Sequence, residues 1–511
     1  MAPDSLKQKA VHATLWYGGS RAVIQVINWV VTLATTRLLM PGDYGALGIV
    51  MLYAGCVDYL NELGLGAALV QRKDLAAEDL DTVFWFGLST SAGMYLLTLG
   101  VAPFIANFFN QPLLTSLLPV MGLNFLVSGL RVVPWNMLTR QMDFKRRSIA
   151  ESFGNLCGGL VTYGMARFGF GVWALVAGFM VPNLAITIQV FFQSPWRPRL
   201  RFSFPHLKNL FGFSLNVAGS RIAWYLQDNA DTFIIGKRLG TQALGYYGIA
   251  MRLGAETTGR FLSILNQIAF PLYARLQHDH DKLKEYFLAA TEFICAAVFP
   301  ILVGMFLLAD DVIPWLMTAK WAPMILPFKI LCLTGIFKTL GSLPGPAVMA
   351  KGHAKLQFYF CIAQLLVMPA FYVAGTYYCG VPFAFGASIT APWYYGLIGV
   401  CLVWVTIYPL VVAIWLWQTR KIVGYQWGEL LRVMAPGTVS TMLMAAVLLI
   451  QQHFTPTSLS SPARVAISVG LGIAVYAACL IGGFRKSLIR MIRIIRPKFN
   501  QPPATPEAGI A

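Results

Sequence analysis

Apolar runs of about 18 or more residues recur along the whole chain, parted by short polar gaps. A helix of about that length crosses the hydrocarbon core of a bilayer. Open strands cannot satisfy their backbone in lipid, and the apolar/polar alternation of an outer-membrane barrel is missing. The pattern therefore predicts an all-α polytopic membrane protein with about fourteen transmembrane helices. They fall near 14–38, 44–69, 82–108, 113–135, 149–168, 172–193, 210–235, 242–272, 286–309, 324–350, 355–375, 396–417, 432–452 and 462–484. The stretch 381–391 reads as a short re-entrant piece. Twelve spans is the competing count, because the last two are separable from the rest.

A shift of 200 residues lays the chain on itself without a gap over roughly fifty residues. Leu15, Gly19, Ser20 and Arg21 meet Leu215, Gly219, Ser220 and Arg221. Gly45, Gly48, Ile49 and Met51 meet Gly245, Gly248, Ile249 and Met251. The two copies begin at spans one and seven, six helices apart, so they share one orientation. Two parallel six-helix bundles around a central cavity follow, a design that transporters use with the substrate site between the bundles. This divides the chain into an N-terminal bundle 1–193, a cytoplasmic linker 194–209, a second bundle 210–420, two additional helices 421–484 and a basic, then disordered, cytoplasmic tail 485–511.

The charge changes this picture by giving it an orientation. The net charge is +18, but it is unevenly placed. The N-terminus, the even-numbered gaps and the tail hold 24 of the 39 lysines and arginines, while the odd gaps hold Lys237, Arg238 and Lys320, with Arg167 and Arg464 at span ends on the same side. That asymmetry is the positive-inside rule, and it puts both termini in the cytoplasm. It also argues for anionic membrane lipids as partners of the basic tail, and against nucleic acid. No signal peptide is expected in MAPDSLKQKA, which is polar and basic.

Ionisable groups inside the spans carry the functional reading. At 100° per residue, Arg221, Tyr225, Asp228 and Thr232 share one stripe of span seven, with Asp231 at its edge. Arg21, Gln25, Asn28, Thr32 and Thr35 form the same stripe on span one. Span eight adds Arg252, Glu256 and Arg260; span two has Asp58 and Glu62; spans four and ten carry Arg131 and Lys338. An embedded charge costs about 2.5–3.5 kcal/mol on insertion scales, so such groups are expected to face a wet cavity. The cations Arg21, Arg131, Arg221, Arg252, Arg260 and Lys338 outnumber nearby acids, and a cationic cavity attracts an anion. Arginine suits phosphate through its planar fork. Trp16, Trp224 and Tyr225 are aromatics that could stack on sugars, although interface anchoring is the commoner role.

Composition agrees: 57% of residues are hydrophobic, 12% are charged, and the mean hydropathy is +0.63. The eight cysteines are scattered and read as small buried hydrophobes. The HDHD run at 278–281 reads as a solvated loop rather than a metal site. No nucleophile elbow, phosphate loop or zinc pattern is present, no gap is long enough for a soluble catalytic domain, and no metal or cofactor is expected.

The stretch NADTFIIGKRLGTQALGYYGIA at 229–250 resembles a pattern of the polysaccharide transporters in the multidrug/oligosaccharidyl-lipid/polysaccharide exporter superfamily. TTRLLMPGDYGALGIV, ALVQRKDL and LTRQMDFKRRS resemble the same family, and the likeness covers residues 10–420. It is nearest the colanic-acid and teichuronic-acid exporter group, with its O-antigen flippase relatives. Lys237-Arg238 stands where that pattern has a single basic residue, and the insert around 380–395 is longer than usual.

The resemblance implies a flippase, not an enzyme. Its cargo would be undecaprenyl-diphosphate-linked oligosaccharide, moved across a bacterial inner membrane by alternating access for surface polysaccharide biosynthesis. It further implies Arg21 and Arg221 as headgroup ligands. Asp228, Asp231, Glu256 and Asp58 are candidates for ion coupling. A polysaccharide polymerase and glycosyltransferases are the implied protein partners, and a monomer is the expected state. The rival readings are a multidrug or metabolite exporter of the same superfamily, whose organic-cation substrates would favour an acidic cavity, and a membrane-embedded glycan polymerase or ligase, which needs a large external loop.

Overall fold

A computed structural model of the chain describes residues 24–62, 69, 77–141, 143–203, 221–255, 259, 269–377, 391–455, 459–485 and 487. Arg21, Glu256, Arg260, all but Ala391 of the 381–391 segment, part of the linker and most of the tail lie outside the described residues.

Every regular element among the described residues is helical. In the first half these are α1 (24–38), α2 (Pro41–Glu62), α3 (Ala77–Phe108), α4 (Leu114–Arg140), α5 (Phe144–Arg167) and α6 (Val172–Gln193). In the second they are α7 (221–228), α8 (Ala230–Arg238), α9 (Gly240–Leu253), α10 (His280–Met317), α11 (Ile325–Ser342), α12 (Pro344–Ala350), α13 (Ala354–Thr376) and α14 (Pro392–Val423), followed by α15 (Trp427–Phe454) and α16 (Ser461–Gly483). Among the described residues nine helices are long and apolar enough to cross a membrane. Where they are described, the predicted spans are mostly helical, with breaks at Asn229, at 254–255 and at Leu343. The first, second, fifth, seventh and eighth predicted spans are not among the nine; the helix of the fifth, α5, begins at Phe144 and takes in Lys145, Arg146, Arg147 and Glu151, which the hydrophobic pattern had assigned partly to a gap.

Local chemistry sets these ends. Asp143 caps α5 by accepting the amide of Arg146 at 3.1 Å. Gln426 and Glu429 form a capping box ahead of α15. Asp279, inside the HDHD run, accepts the amide of Lys282 at 3.1 Å and pairs with its ammonium at 2.8 Å. The side-chain hydrogen bond with Lys282 holds the Asp279 carboxyl below the ordinary carboxylate range. Whatever this fully exposed cap contributes is present above that ordinary range and is lost as pH falls through the depressed value.

The chain forms two compact units. One comprises Met1–Met251, Ile313–Phe328 and Phe360–Ile407; the other comprises Arg252–Val312, Lys329–Tyr359 and Tyr408–Ala511. Within the first unit, gaps of one parity meet. On the even side, Asp81 accepts the indole N–H of Trp196 and the amide of Arg199, each at 3.2 Å. Trp85 donates to the Arg199 carbonyl at 2.7 Å. On the odd side, Gln111 reaches Thr241 at 3.4 Å, and Lys320 and Trp321 reach the carbonyls of Arg37 and Thr36 at 2.8 Å.

The second unit sorts the same way. Lys284 pairs with Glu429 at 2.6 Å on the even side. Lys329 with Asp310 at 2.5 Å and Arg464 with Asp311 at 2.6 Å lie on the odd side. Consecutive helices thus run up and down, as spanning helices joined by short gaps must. The second unit buries a core of Leu283, Phe287, Ile294, Leu416 and Tyr425. Its two last helices are fixed to α10: Tyr476 donates to the Ala296 carbonyl at 2.6 Å and Gln452 to the Leu307 carbonyl at 3.0 Å.

The internal repeat appears in the first unit as a reciprocal crossing of α2 and α9. A Cβ placed on Gly45 would overlap the Thr241 carbonyl, and one placed on Gly245 would overlap the Pro41 carbonyl. Positions 41 and 45 are the 200-residue counterparts of 241 and 245. Residue i of one copy therefore meets j of the other and j meets i, the contact pattern of a two-fold axis.

Candidate functional site

The embedded charges of the first unit gather around α4. Arg131, Trp135 and Thr139 follow one another at four-residue spacing and share one face of the helix. Arg131 donates to Asn183 of α6 at 3.2 Å, and its guanidinium lies 5.4 Å from the Trp135 ring centroid. Arg147 of α5 covers the same ring at 4.3 Å, donates to Thr139 at 3.3 Å and pairs with Glu151 at 3.3 Å. One indole is thus flanked by two cations, and each such contact contributes about 0.5–2 kcal/mol depending on desolvation.

Asp58 of α2 and Glu151 attract the Arg131 charge, and Arg147 opposes it. Asp58 and Asp228 also act electrostatically on Tyr225 of α7. Tyr225 donates its phenol to the carbonyls of Met51 and Leu52, both at 3.1 Å, and its ring lies 5.3 Å from that of Tyr59. Gly55 makes room for that phenol: a Cβ there would collide with it.

Arg131, Asp58, Tyr225 and Asp228 are therefore brought into one neighbourhood from three elements. Arg221 and Asp228 are exposed, Tyr225 and Thr232 are half-buried, and on α1 Gln25 and Thr32 are half-buried while Asn28 is exposed. Arg252, exposed, and Lys338, half-buried, belong to the second unit.

Asp231 has a different setting from the rest of its predicted stripe. It is 3% exposed and accepts hydrogen bonds from the Tyr247 phenol and from the backbone of Thr232. Trp404 donates to the Tyr247 oxygen at 3.0 Å. An indole N–H can only donate, so the Tyr247 proton is directed at the carboxylate. The helix is interrupted at Asn229 between α7 and α8, so one continuous 100° stripe across residues 221–232 does not describe it.

Trp135, Arg147, Glu151 and Asn183 were not among the residues singled out from the sequence. The Arg147/Glu151 four-residue spacing, continuous with the apolar run after it, was the available signal. The periodicity placed Arg131 among unmatched cations, whereas the structure sets two carboxylates near it.

Tyr225→Phe removes only the phenol, leaving its ring contact in place. A hydrogen bond of this kind contributes about 0.5–1.5 kcal/mol. The expected result is a protein that folds at normal levels with a small fall in melting temperature, measured in detergent. Loss of all folded protein would contradict this placement.

A model of a polysaccharide biosynthesis protein family matches residues 34–326. The chain belongs to that family. It is 25% identical over 449 residues to the teichuronic acid biosynthesis protein TuaB of Bacillus subtilis (strain 168), covering 84% of this chain and 87% of that one. It is 23% identical over 486 residues to the succinoglycan biosynthesis transport protein ExoT of Rhizobium meliloti (strain 1021), covering 93% and 92%. Among solved structures, the lipid II flippase MurJ in an inward closed conformation shares its fold with a TM-score of 0.70 at 12% identity, covering 93% of this chain and all of that one. This family member is a multi-pass helical membrane protein.

Proposed function

We propose that this protein moves a lipid-linked oligosaccharide, with an undecaprenyl-diphosphate headgroup, across the bacterial inner membrane for surface polysaccharide biosynthesis. The observation that carries the reading is the paired guanidinium cluster at Trp135, set among spanning helices in a chain of this family. The names of TuaB and ExoT speak of surface glycans, that of ExoT speaks of transport, and MurJ supplies the fold of a lipid-headgroup flippase.

Arg131 is held by Asn183 and the Trp135 ring, and Arg147 by Glu151, Thr139 and the same ring. An arriving diphosphate offers a denser anion and bidentate geometry, so it competes with Asn183 for the Arg131 fork and with Glu151 for that of Arg147. A ligand shifts a conformational equilibrium only through contacts that differ between states, and this exchange of partners is such a difference. Arg21 and Arg221 are proposed as further headgroup contacts. Asp231, buried with Tyr247, is proposed as the ion-coupling carboxylate.

The test is a deletion strain complemented with the wild-type gene or with Arg131→Gln/Arg147→Gln. Wild type is expected to restore surface polysaccharide. The double variant, present at the same level, is expected to leave lipid-linked oligosaccharide accumulating in the cytoplasmic leaflet. Normal surface polysaccharide from the variant would overturn the reading. For orientation, reporter fusions at Gln111 and Pro456 should behave as periplasmic and at Arg146 and Arg201 as cytoplasmic; a swapped pattern would reverse the topology.

A further inference from the structure

The odd gaps hold few basic residues, and the structure gives those near the α2–α9 crossing a common use. Arg37, in the last turn of α1, donates through Nε to the Leu316 carbonyl at 2.7 Å and through Nη2 to the Trp315 carbonyl at 2.9 Å. Those carbonyls lie in the last turn of α10. Lys237, in the last turn of α8, donates to the carbonyl of Phe108, the last residue of α3, and its ammonium sits 4.3 Å from the Phe108 ring centroid. Helix C-termini leave carbonyls without intrahelical donors and carry partial negative charge, so a cation is the natural cap. Here each cap comes from another helix.

The two caps are symmetry mates. Positions 37 and 237 are 200 residues apart, and α3 and α10 are the third spans of the two repeats. The first copy's cation caps the second copy's third span, and the second copy's cation caps the first copy's. This is the same reciprocity as the Gly45/Gly245 crossing. Lys320 caps the Arg37 carbonyl at 2.8 Å, and Tyr246 donates to the Lys320 carbonyl at 3.0 Å. Arg238, the second of the two adjacent cations, lies 4.5 Å from the Tyr377 ring centroid. The doubled basic pair thus has one member for the reciprocal cap and one for a ring.

We infer that Arg37 and Lys237 are the two halves of a reciprocal clasp that holds the odd-gap end of this unit shut and lets go when the transporter opens to that side. The chemistry suits release. The four bonds donated by Arg37, Lys237 and Lys320 run from a side chain to a neutral carbonyl and lie at exposed positions, so water replaces each at modest cost. At the glycine crossing beneath, the nearest approaches to Gly45 and Gly245 are backbone rather than side chain. The proposal rests on the transport reading, and its experiment keeps the two apart.

Gly42 lies beside the crossing, where an added Cβ meets only the Thr241 hydroxyl, at 3.9 Å. In Gly42→Cys/Thr241→Cys protein, diamide takes two protons and two electrons from the thiols and leaves a disulfide across the clasp. The readout is movement of lipid-linked oligosaccharide in the complemented strain, before and after oxidation and again after reduction. Oxidation is expected to cut transport at least 10-fold and reduction to restore it, with neither single-cysteine variant affected. A second readout needs no transport: Thr241→Cys is labelled with a membrane-impermeant maleimide added to whole cells, alone or with Arg37→Gln/Lys237→Gln. Removing the caps is expected to speed labelling several-fold. If wild type moves no lipid-linked oligosaccharide, the transport reading fails. If wild type transports while the cross-linked protein transports equally well, or if labelling is unchanged by removing the caps or appears only in inverted vesicles, the clasp is overturned.

Discussion

Gly245→Val is expected to abolish transport, and Gly45→Val to do the same to a similar extent. At both positions the neighbour that a Cβ would strike is backbone, the Pro41 carbonyl for one and the Thr241 carbonyl for the other. Backbone cannot swing aside as a side chain does, so α2 and α9 must separate. Overpacking of this kind costs about 1–3 kcal/mol or more even where side chains can adjust. Gly248→Ala is the matched control. Nothing lies within 4 Å of a Cβ there, and alanine gains about 1 kcal/mol of helix propensity over glycine. Export at equal protein level should fall more than 10-fold for the two valine variants and stay at wild type for the alanine. A fully active Gly245→Val would show that the crossing is not tight. Equal damage from Gly248→Ala would show that glycine matters there for some other reason than contact.

Arg131→Ala should have the second-largest effect, and on two separable quantities. Arg131 is half-buried, and removing it takes away its hydrogen bond to Asn183, a charge-assisted bond that contributes about 1.5–3 kcal/mol, and its contact with the Trp135 ring. Folded protein is therefore expected to fall. Arg131→Gln with Asp58→Asn removes both charges while keeping a polar, amide-bearing side chain at each position, and should recover most of the protein level. Export should remain more than 10-fold down in the recovered double variant if, as proposed, the guanidinium itself meets the headgroup. A double variant that regains both level and export would make Arg131 a structural residue only.

The hydrophobic pattern carried most of the fold, because a bilayer demands long apolar helices and leaves little else to choose. Span positions were legible to within a few residues for α3, α4, α6 and α15. The repeat was legible too, and Gly45/Gly245, matched as letters, turned out to be the contact itself. The exact partners of the embedded charges were not legible. Which carboxylate faces Arg131 depends on how α2 and α5 pack against α4, and periodicity along one helix is silent on that. Glu151 and Arg147 escaped notice because α5 begins in a basic gap, where charges look solvated. Asp231 parted from its stripe because the helix is interrupted at Asn229. Lys237 read from sequence as one of the few odd-gap cations, and only the meeting of distant helix ends gives it and Arg37 their partners.

The account turns on whether an anionic, lipid-linked headgroup is what crosses. The measurement is translocation of a fluorescent undecaprenyl-diphosphate oligosaccharide in proteoliposomes, read as loss of protection from an impermeant quencher, beside the same oligosaccharide on a neutral lipid. The account predicts protein-dependent translocation of the diphosphate lipid, lost in Arg131→Gln/Arg147→Gln, and little movement of the neutral one. Equal translocation of both lipids, or undiminished translocation by the double variant, would contradict it.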